Sequence, residues 1–255
     1  MQDLFENGMS FVKAVIIPVG MSPVHSLRLA RKFIELDFSL IVLVVTKETS
    51  DFAESIISLQ SGSKQKFASV LVEDISDQIE SSREIDQWSV VFGPGTREMQ
   101  IGAWHGVILV TGKAPKNWID HRRKSQSGLK NISPEMLVNL SDGLKEHELC
   151  QVTKEDALAV NSIPTNTYEE IVGIRWIDNQ SKFNLHISLP DGYEEIKRKK
   201  IRAWEEDVYS RVVSAREIFG KHALIVTRDT FPSQPAWWSN VEKRMRDYGI
   251  RGGSK

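Results

Sequence analysis

The sequence predicts an α/β protein in which a doubly wound parallel sheet is followed by a smaller α+β unit. Three observations carry this. Short β-branched runs alternate with stretches of helical period through the first half. Residues 40–46 (LIVLVVT) are almost wholly apolar, as a parallel strand covered on both faces should be. The alternation stops after Thr111, and a different rhythm of hairpin, long helix, strand and helix follows.

Taken in order, residues 12–18 (VKAVIIP) have the length and branching of a strand and stop at Pro18 and Gly20. Leu27, Leu29, Ala30, Phe33 and Ile34 then recur at helical spacing. The second strand, 40–46, leads into a helix face with Phe52, Ile56 and Ile57. Residues 67–72 with Ile75 and Ile79, then 88–92, continue the pattern, and 107–111 (VILVT) is expected to be the fifth strand. Parallel neighbours need right-handed crossovers, so five such units imply helices on both faces of the sheet.

Residues 112–134 are polar and basic without a sustained period and are expected to begin a linker with short helices, one at 134–140 and another at 154–160. The expected organisation is a disordered leader over 1–10, the α/β domain over 11–115, the linker over 116–165 and the small α+β domain over 166–255. In the last, 171–177 and 183–189 read as a hairpin and 194–219 as a long helix broken by Gly220. Residues 223–227 read as a buried strand and 240–248 as a terminal helix.

The 33 basic and 34 acidic residues leave a formal charge of -1, which excludes binding of nucleic acid through global positive charge. A lone cysteine, Cys150, has no intrachain partner and suits a reducing compartment. The opening MQDLFENG lacks the basic and then apolar order of a signal peptide, and no window reaches the length of a membrane span. A cytoplasmic protein without membrane attachment is expected.

Ligands of an open parallel sheet bind outside the carboxyl ends of its strands. The loop after the first strand is Gly20-Met21-Ser22-Pro23-Val24-His25, and the loop after the fourth begins Gly93-Pro94-Gly95-Thr96-Arg97. Small residues opening a helix leave backbone N–H groups to receive phosphate oxygens. Neither loop is a dinucleotide fingerprint or a Walker loop, so no cofactor is expected. The plain structural alternative is that these glycines and prolines only let the chain reverse.

PVGMSP at 18–23, VVTKETSDFAESI at 44–56 and VVFGPGTREMQIGA at 90–103 resemble the recurring motifs of CRISPR-associated Rossmann-fold (CARF) domains. The segment Gly95-Thr96-Arg97-Glu98-Met99 is the most specific match, with Pro94 standing where that family usually has glycine. The resemblance covers about residues 11–115. It implies a Rossmann-like homodimer that binds a cyclic oligoadenylate messenger of type III antiviral defence across its two-fold axis. It also implies a pocket lined by Gly20, Ser22, His25, Thr46, Lys47, Thr49, Gly95, Thr96, Arg97 and Met99. His25 has the alternative of packing at a helix start, and Lys47 that of a solvated surface lysine. Loop-tip placement predicts that changing Thr96 and Arg97 together leaves the fold intact.

Many members of that family carry a nuclease-like second domain. Metal-dependent nucleases of this type need an acid on one strand and an acid-x-lysine on the next, because carboxylates hold the cation. The strand at 183–189 (FNLHISL) has neither acid nor lysine in that place, and Asp178 and Asp191 flank it in turn contexts. No metal site and an inactive nuclease-like domain are therefore expected. The enzyme alternative is a ring nuclease that opens its own ligand without metal, with Ser22, Thr96 and Arg97 as candidate catalytic residues. His186-Ile187-Ser188 matches half of a phosphoesterase signature that needs two copies. A third reading is a nucleic-acid-binding regulator using Lys197, Arg198, Lys199, Lys200 and Arg202 beside Trp204, against the alternative of a solvated helix face balanced by nearby acids. Trp237 and Trp238 are candidates for an aromatic contact or for capping a core.

Overall fold

The computed structural model describes residues 11–121, 136–188, 198–228 and 236–247. The leader, Asp191, Lys197 and most of 112–134 beyond His121 lie outside the described residues. The chain divides into two units, residues 1–150 and 151–255.

The first unit is a seven-stranded sheet. Its strands are β1 (Lys13–Pro18), β2 (Leu40–Val45), β3 (Lys66–Leu71), β4 (Gln87–Phe92), β5 (Lys116–His121), β6 (Met136–Asn139) and β7 (Lys145–Glu148). The spatial order is β3-β2-β1-β4-β5-β6-β7, with the first five strands parallel and β6 and β7 added antiparallel. The helices are α1 (Pro23–Glu35), α2 (Ser50–Leu59), α3 (Ile75–Glu80) and α4 (Arg97–Thr111).

Strand alternation divides the core between two faces. Ala14, Ile16, Val42, Val44, Trp88 and Val90 pack with Ile75 and Ile79 of α3 and with Met99, Ala103 and Val107 of α4. Val15, Ile17, Ile41 and Leu43 are fully buried on the opposite side, where α1 packs on β1 and α2 on β2. There Phe33 of α1 meets Trp118 of β5 edge to face at 5.2 Å. Every residue of β2 is buried, each contributing about 1.5 to 3 kcal/mol relative to exposure. At the far edge β7 reads Lys-Glu-His-Glu and is largely exposed, a charged edge that resists pairing with another strand.

Three expectations are corrected. Residues 107–111 are the last turns of α4, not a strand, and the fifth parallel strand is β5. A short apolar run is equally compatible with strand and helix; here the caps decide. Thr96 caps the start through Met99, and Gly112 ends the helix at φ 68° in the left-handed region. The expected helix at 134–140 gives way to β6. The expected linker over 116–165 carries three strands of the first sheet before reaching α5 (Lys154–Val160), a helix the sequence does place.

The second unit contains α5, α6 (Thr165–Glu170), β8 (Ile174–Ile177), β9 (Lys182–Ile187), α7 (Arg198–Ala223), β10 (Leu224–Arg228) and α8 (Ala236–Asp247). Its sheet runs β10-β9-β8, with β8 antiparallel and β10 parallel to β9. Phe183, Leu185 and Ile187 of β9 are buried, and Phe183 packs on Phe219 of α7 at 4.8 Å and on Tyr168 at 5.4 Å. Gly220 departs from helical backbone near the end of α7 (φ 67°, ψ 171°), where the sequence expects a break. Among the described residues, no helix is long and apolar enough to cross a membrane.

Candidate functional site

The strand order reverses between β1 and β4. From β1 the chain winds outward through β2 to β3, then returns to β4 on the other side and proceeds to β5. Such a reversal leaves a crevice at the carboxyl ends of the two central strands, because their crossovers depart to opposite sides. The loops that follow β1 and β4 meet there. A Cβ on Gly20 would stand 2.9 Å from the Gly95 nitrogen, and one on Gly95 would stand 2.7 Å from Cβ of Pro18. Glycine is thus required at Gly20 by the close approach of the Gly95 backbone, and at Gly95 by the Pro18 ring and by its own φ of 70°.

A buried pair ties this crevice to β5. His25, in the first turn of α1, is joined through Nε2 to Oδ2 of Asp120 near the carboxyl end of β5. The Asp120 carboxylate is fully enclosed and the His25 side chain is one-tenth exposed. Gly93 lies against the same aspartate: a Cβ there would fall 2.9 Å from Cβ of Asp120, and its φ of 126° is itself closed to other residues. One carboxylate therefore braces the loops after β1 and β4. His25 therefore packs at the helix start and holds a partner within the protein.

Thr46, Lys47 and Thr49 follow β2, the next strand along. Thr49 is buried, and its hydroxyl accepts the Thr46 N–H at 3.0 Å, so it closes a turn. Lys47 is exposed and Thr46 half-buried. In the fourth loop, the Thr96 hydroxyl accepts the Met99 N–H at 3.3 Å, and the Thr96 N–H points to the Met99 sulfur at 3.5 Å. Met99 is 2% exposed and belongs to the core beneath the loop. Gln100 donates to the Pro94 carbonyl at 2.8 Å and steadies the loop from inside.

Thr96, Arg97 and Glu98 are all exposed at the start of α4, where backbone N–H groups lack helical partners. Glu98 already answers part of that demand. Its carboxyl is held below the usual carboxylate range first by its own backbone N–H and then by the Thr96 hydroxyl. A ligand anion arriving at this helix end meets Arg97 as an attraction and Glu98 as a competitor.

The arrangement brings Gly20, Ser22 and His25 together with Gly95, and sets the Thr96 and Arg97 end of α4 beside them. Gly93, which the sequence names only as the opening of the fourth loop, and Asp120 complete the site, and Asp120 escapes sequence reasoning. Asp120 lies in a stretch that resembles a polar linker, and its only signal is an acid at the end of a short run containing Trp118 and Ile119.

In the second unit Asp178 is exposed in the turn after β8. His186 faces away from the buried side of β9, and its Nδ1 meets the Thr227 hydroxyl at 3.2 Å. The basic run opens α7, and its suggested acidic balance is partly engaged elsewhere. Glu206 pairs with Arg244 at 2.8 Å, which holds its carboxyl low, and Asp207 pairs with Arg211 at 2.9 Å. Trp237 and Trp238 fall in the first turn of α8.

No protein-family model matches the chain, and no curated protein matches it. Solved structures give distant likenesses. Can2 from Sulfobacillus thermosulfidooxidans, in complex with cyclic tetra-adenylate, aligns at TM-score 0.43 and 9% identity over 91% of this chain and 57% of its own. Protein VC1899 from Vibrio cholerae aligns at TM-score 0.42 and 10% identity over 82% of this chain and 47% of its own. The chain spans about half the length of these two, and the fold assignment rests on the strand order described above.

Proposed function

We propose that the crevice at the carboxyl ends of β1 and β4 binds a cyclic oligoadenylate, and that the protein is a homodimeric messenger sensor of type III CRISPR antiviral defence. The observation that carries this reading is the contact of the Gly20 and Gly95 loops at the reversal of strand order. It forms one site from two small-residue loops, each opening a helix. Ser22, Lys47, Thr96 and Arg97 follow the carboxyl ends of β1, β2 and β4 and carry charge and hydroxyls suited to phosphate and ribose.

A two-fold dimer presents the same crevice twice, which suits a ligand whose phosphates repeat around a ring. Support for a dimer comes from α4. Ile101 and Leu109 are 61% and 66% exposed, two turns apart on the helix that starts at the site. Ile101, Leu109 and the neighbouring Val110, around the exposed His105, are the apolar groups that such an interface would cover. In the second unit β9 offers Asn184 and His186 where a metal-dependent nuclease would offer acid and lysine, so that domain acts without metal-assisted cleavage.

Incubation with labelled cyclic tetra- and hexa-adenylate tests the reading. Intact ring retained by the protein is expected. Linear products would replace the sensor with a ring nuclease, and failure to retain either ring would remove the proposal.

A further inference from the structure

Asp120 stands where β4, β5 and α1 meet, and strand register explains how it comes there. Phe92 of β4 lies beside Ile119 of β5, so the next residues along, Gly93 and Asp120, are neighbours at the end of β4. Side chains alternate along a strand, which puts Asp120 on the same face as Trp118. Trp118 meets Phe33 of α1 on that face, and His25 in the first turn of α1 reaches the Asp120 carboxylate through Nε2. A carboxylate only accepts, so the imidazole gives the hydrogen. The Asp120 side chain is fully enclosed, and its Cβ and Oδ2 fill the place a Cβ on Gly93 would take.

The two loops that meet Asp120 lead to opposite faces of the sheet. The loop after β1 enters α1, on the face where Val15 and Ile17 are buried, whereas the loop after β4 enters α4, whose Met99, Ala103 and Val107 pack with Ala14 and Ile16 of the other face. Helix packing therefore fixes each loop to its own face and does not tie one to the other. Gly20 meets Gly95 directly, but neither brings a side chain to lock the contact. Asp120 adds a tie made by side chains. On one side, the Ser22 carbonyl accepts the His25 N–H at 3.1 Å, so placing His25 places Ser22. On the other, Gly93 begins the turn that carries Gly95, Thr96 and Arg97.

We propose that Asp120 is a positioning residue for the crevice: by holding His25 and Gly93 together it makes the loops after β1 and β4 open and close as one unit, and so sets the affinity for a ring its enclosed side chain does not touch. Loops outside a sheet open locally at little free-energy cost unless they are held, and two loops held by one group open together. Groups that must be ordered at the moment of binding subtract from affinity, so a ligand that engages both loops binds tightly only where both are already in place. The coupling of the loops stands on the contacts above. Its effect on affinity rests on the messenger reading.

Hydrogen exchange of the full chain, read by mass spectrometry on peptides covering 19–27 and 92–98, tests the coupling without any ligand. Asp120→Ala is expected to speed exchange in both peptides together, about tenfold or more, while β2 at the centre of the sheet keeps its protection. His25→Leu, which removes the donor at similar volume, is expected to do the same, and the double variant to add little to either single change, since each breaks the same link. Asp120→Asn keeps an acceptor and the shape against Gly93, and is expected to recover most of the protection. If Asp120→Ala also exposes β2 it has unfolded, and His25→Leu and Asp120→Asn then carry the comparison. Calorimetry with cyclic tetra- and hexa-adenylate reads the consequence: affinity is expected to fall about tenfold or more in Asp120→Ala and largely to return in Asp120→Asn. Faster exchange in one peptide only, in neither, or without recovery in Asp120→Asn would overturn the coupling. Both loops loosened at unchanged ring affinity would overturn the positioning role. No heat from the unaltered protein with either ring would remove the messenger reading and the effect on affinity with it, and the exchange result would still decide the coupling.

Discussion

At the scale of single residues, the start of α4 combines two duties in neighbouring side chains. Thr96 caps the helix, so its removal acts on stability as well as on any ligand. Thr96→Ala is expected to cost about 1 kcal/mol, read as a lowered melting temperature. The fold is still expected to form, at a melting temperature lower than a loop-tip placement alone implies. Arg97 has no such duty, and Arg97→Ala is expected to weaken cyclic oligoadenylate binding roughly tenfold to hundredfold at unchanged melting temperature, the worth of one charged hydrogen bond. A fall in melting temperature equal to that of Thr96→Ala would instead make Arg97 structural. Glu98 predicts the opposite sign. Its carboxyl titrates below its ordinary 4.5 because the helix amide and Thr96 favour the charged form. Its contribution to the helix is therefore complete above pH 4.5 and lost as the pH falls through the lowered range. At neutral pH the same carboxylate repels a phosphate, so Glu98→Gln is expected to tighten messenger binding several-fold in calorimetry. The gap between the two proteins should close as the pH is taken below 4.5. Equal affinities at pH 7 would show that the ligand does not approach this helix end.

Among the elements, β1, β2 and β4 are legible in the sequence because burial on both faces writes them as apolar, largely β-branched runs, whereas β3, partly exposed at the sheet edge, is legible only as a continuation of the alternation. The fifth is not. The run 107–111 has the composition of a strand but lies between a Thr cap and a left-handed Gly, and helix α4 keeps apolar residues all round, including Ile101 and Leu109 on the exposed side. The true fifth strand, Lys-Asn-Trp-Ile-Asp-His, is polar at its carboxyl end because Asp120 is committed to His25 and the loop at Gly93. Local pattern fails where the chain has given core positions to polar groups, and such places gather at functional sites. The glycines of the first and fourth loops are legible as turn formers, but their mutual contact is a property of strand order that spacing alone does not reveal. The exposed apolar residues of α4 give an element-scale prediction. Leu109→Glu is expected to convert a dimer to a monomer in sedimentation, since a charge cannot be buried unpaired in an apolar interface. A wild-type protein that sediments as a monomer at all concentrations would remove the dimer from the proposal.

At the scale of the whole molecule, the chain couples a sheet whose strand reversal creates a crevice to a second unit with its own small sheet and core. Cys150 closes the first unit as a quiet residue. Partial burial, with Glu35 beside it, pushes its thiol up to about 11, so it remains protonated at neutral pH and has little nucleophilic character. The central claim is that two copies of the crevice hold one ring. Isothermal titration of the full chain with cyclic tetra- and hexa-adenylate measures this directly through stoichiometry. Saturation at one ring per two chains is expected for at least one ring size, with binding weakened by Arg97→Ala. Saturation at one ring per chain, or no heat with either ring, would contradict it.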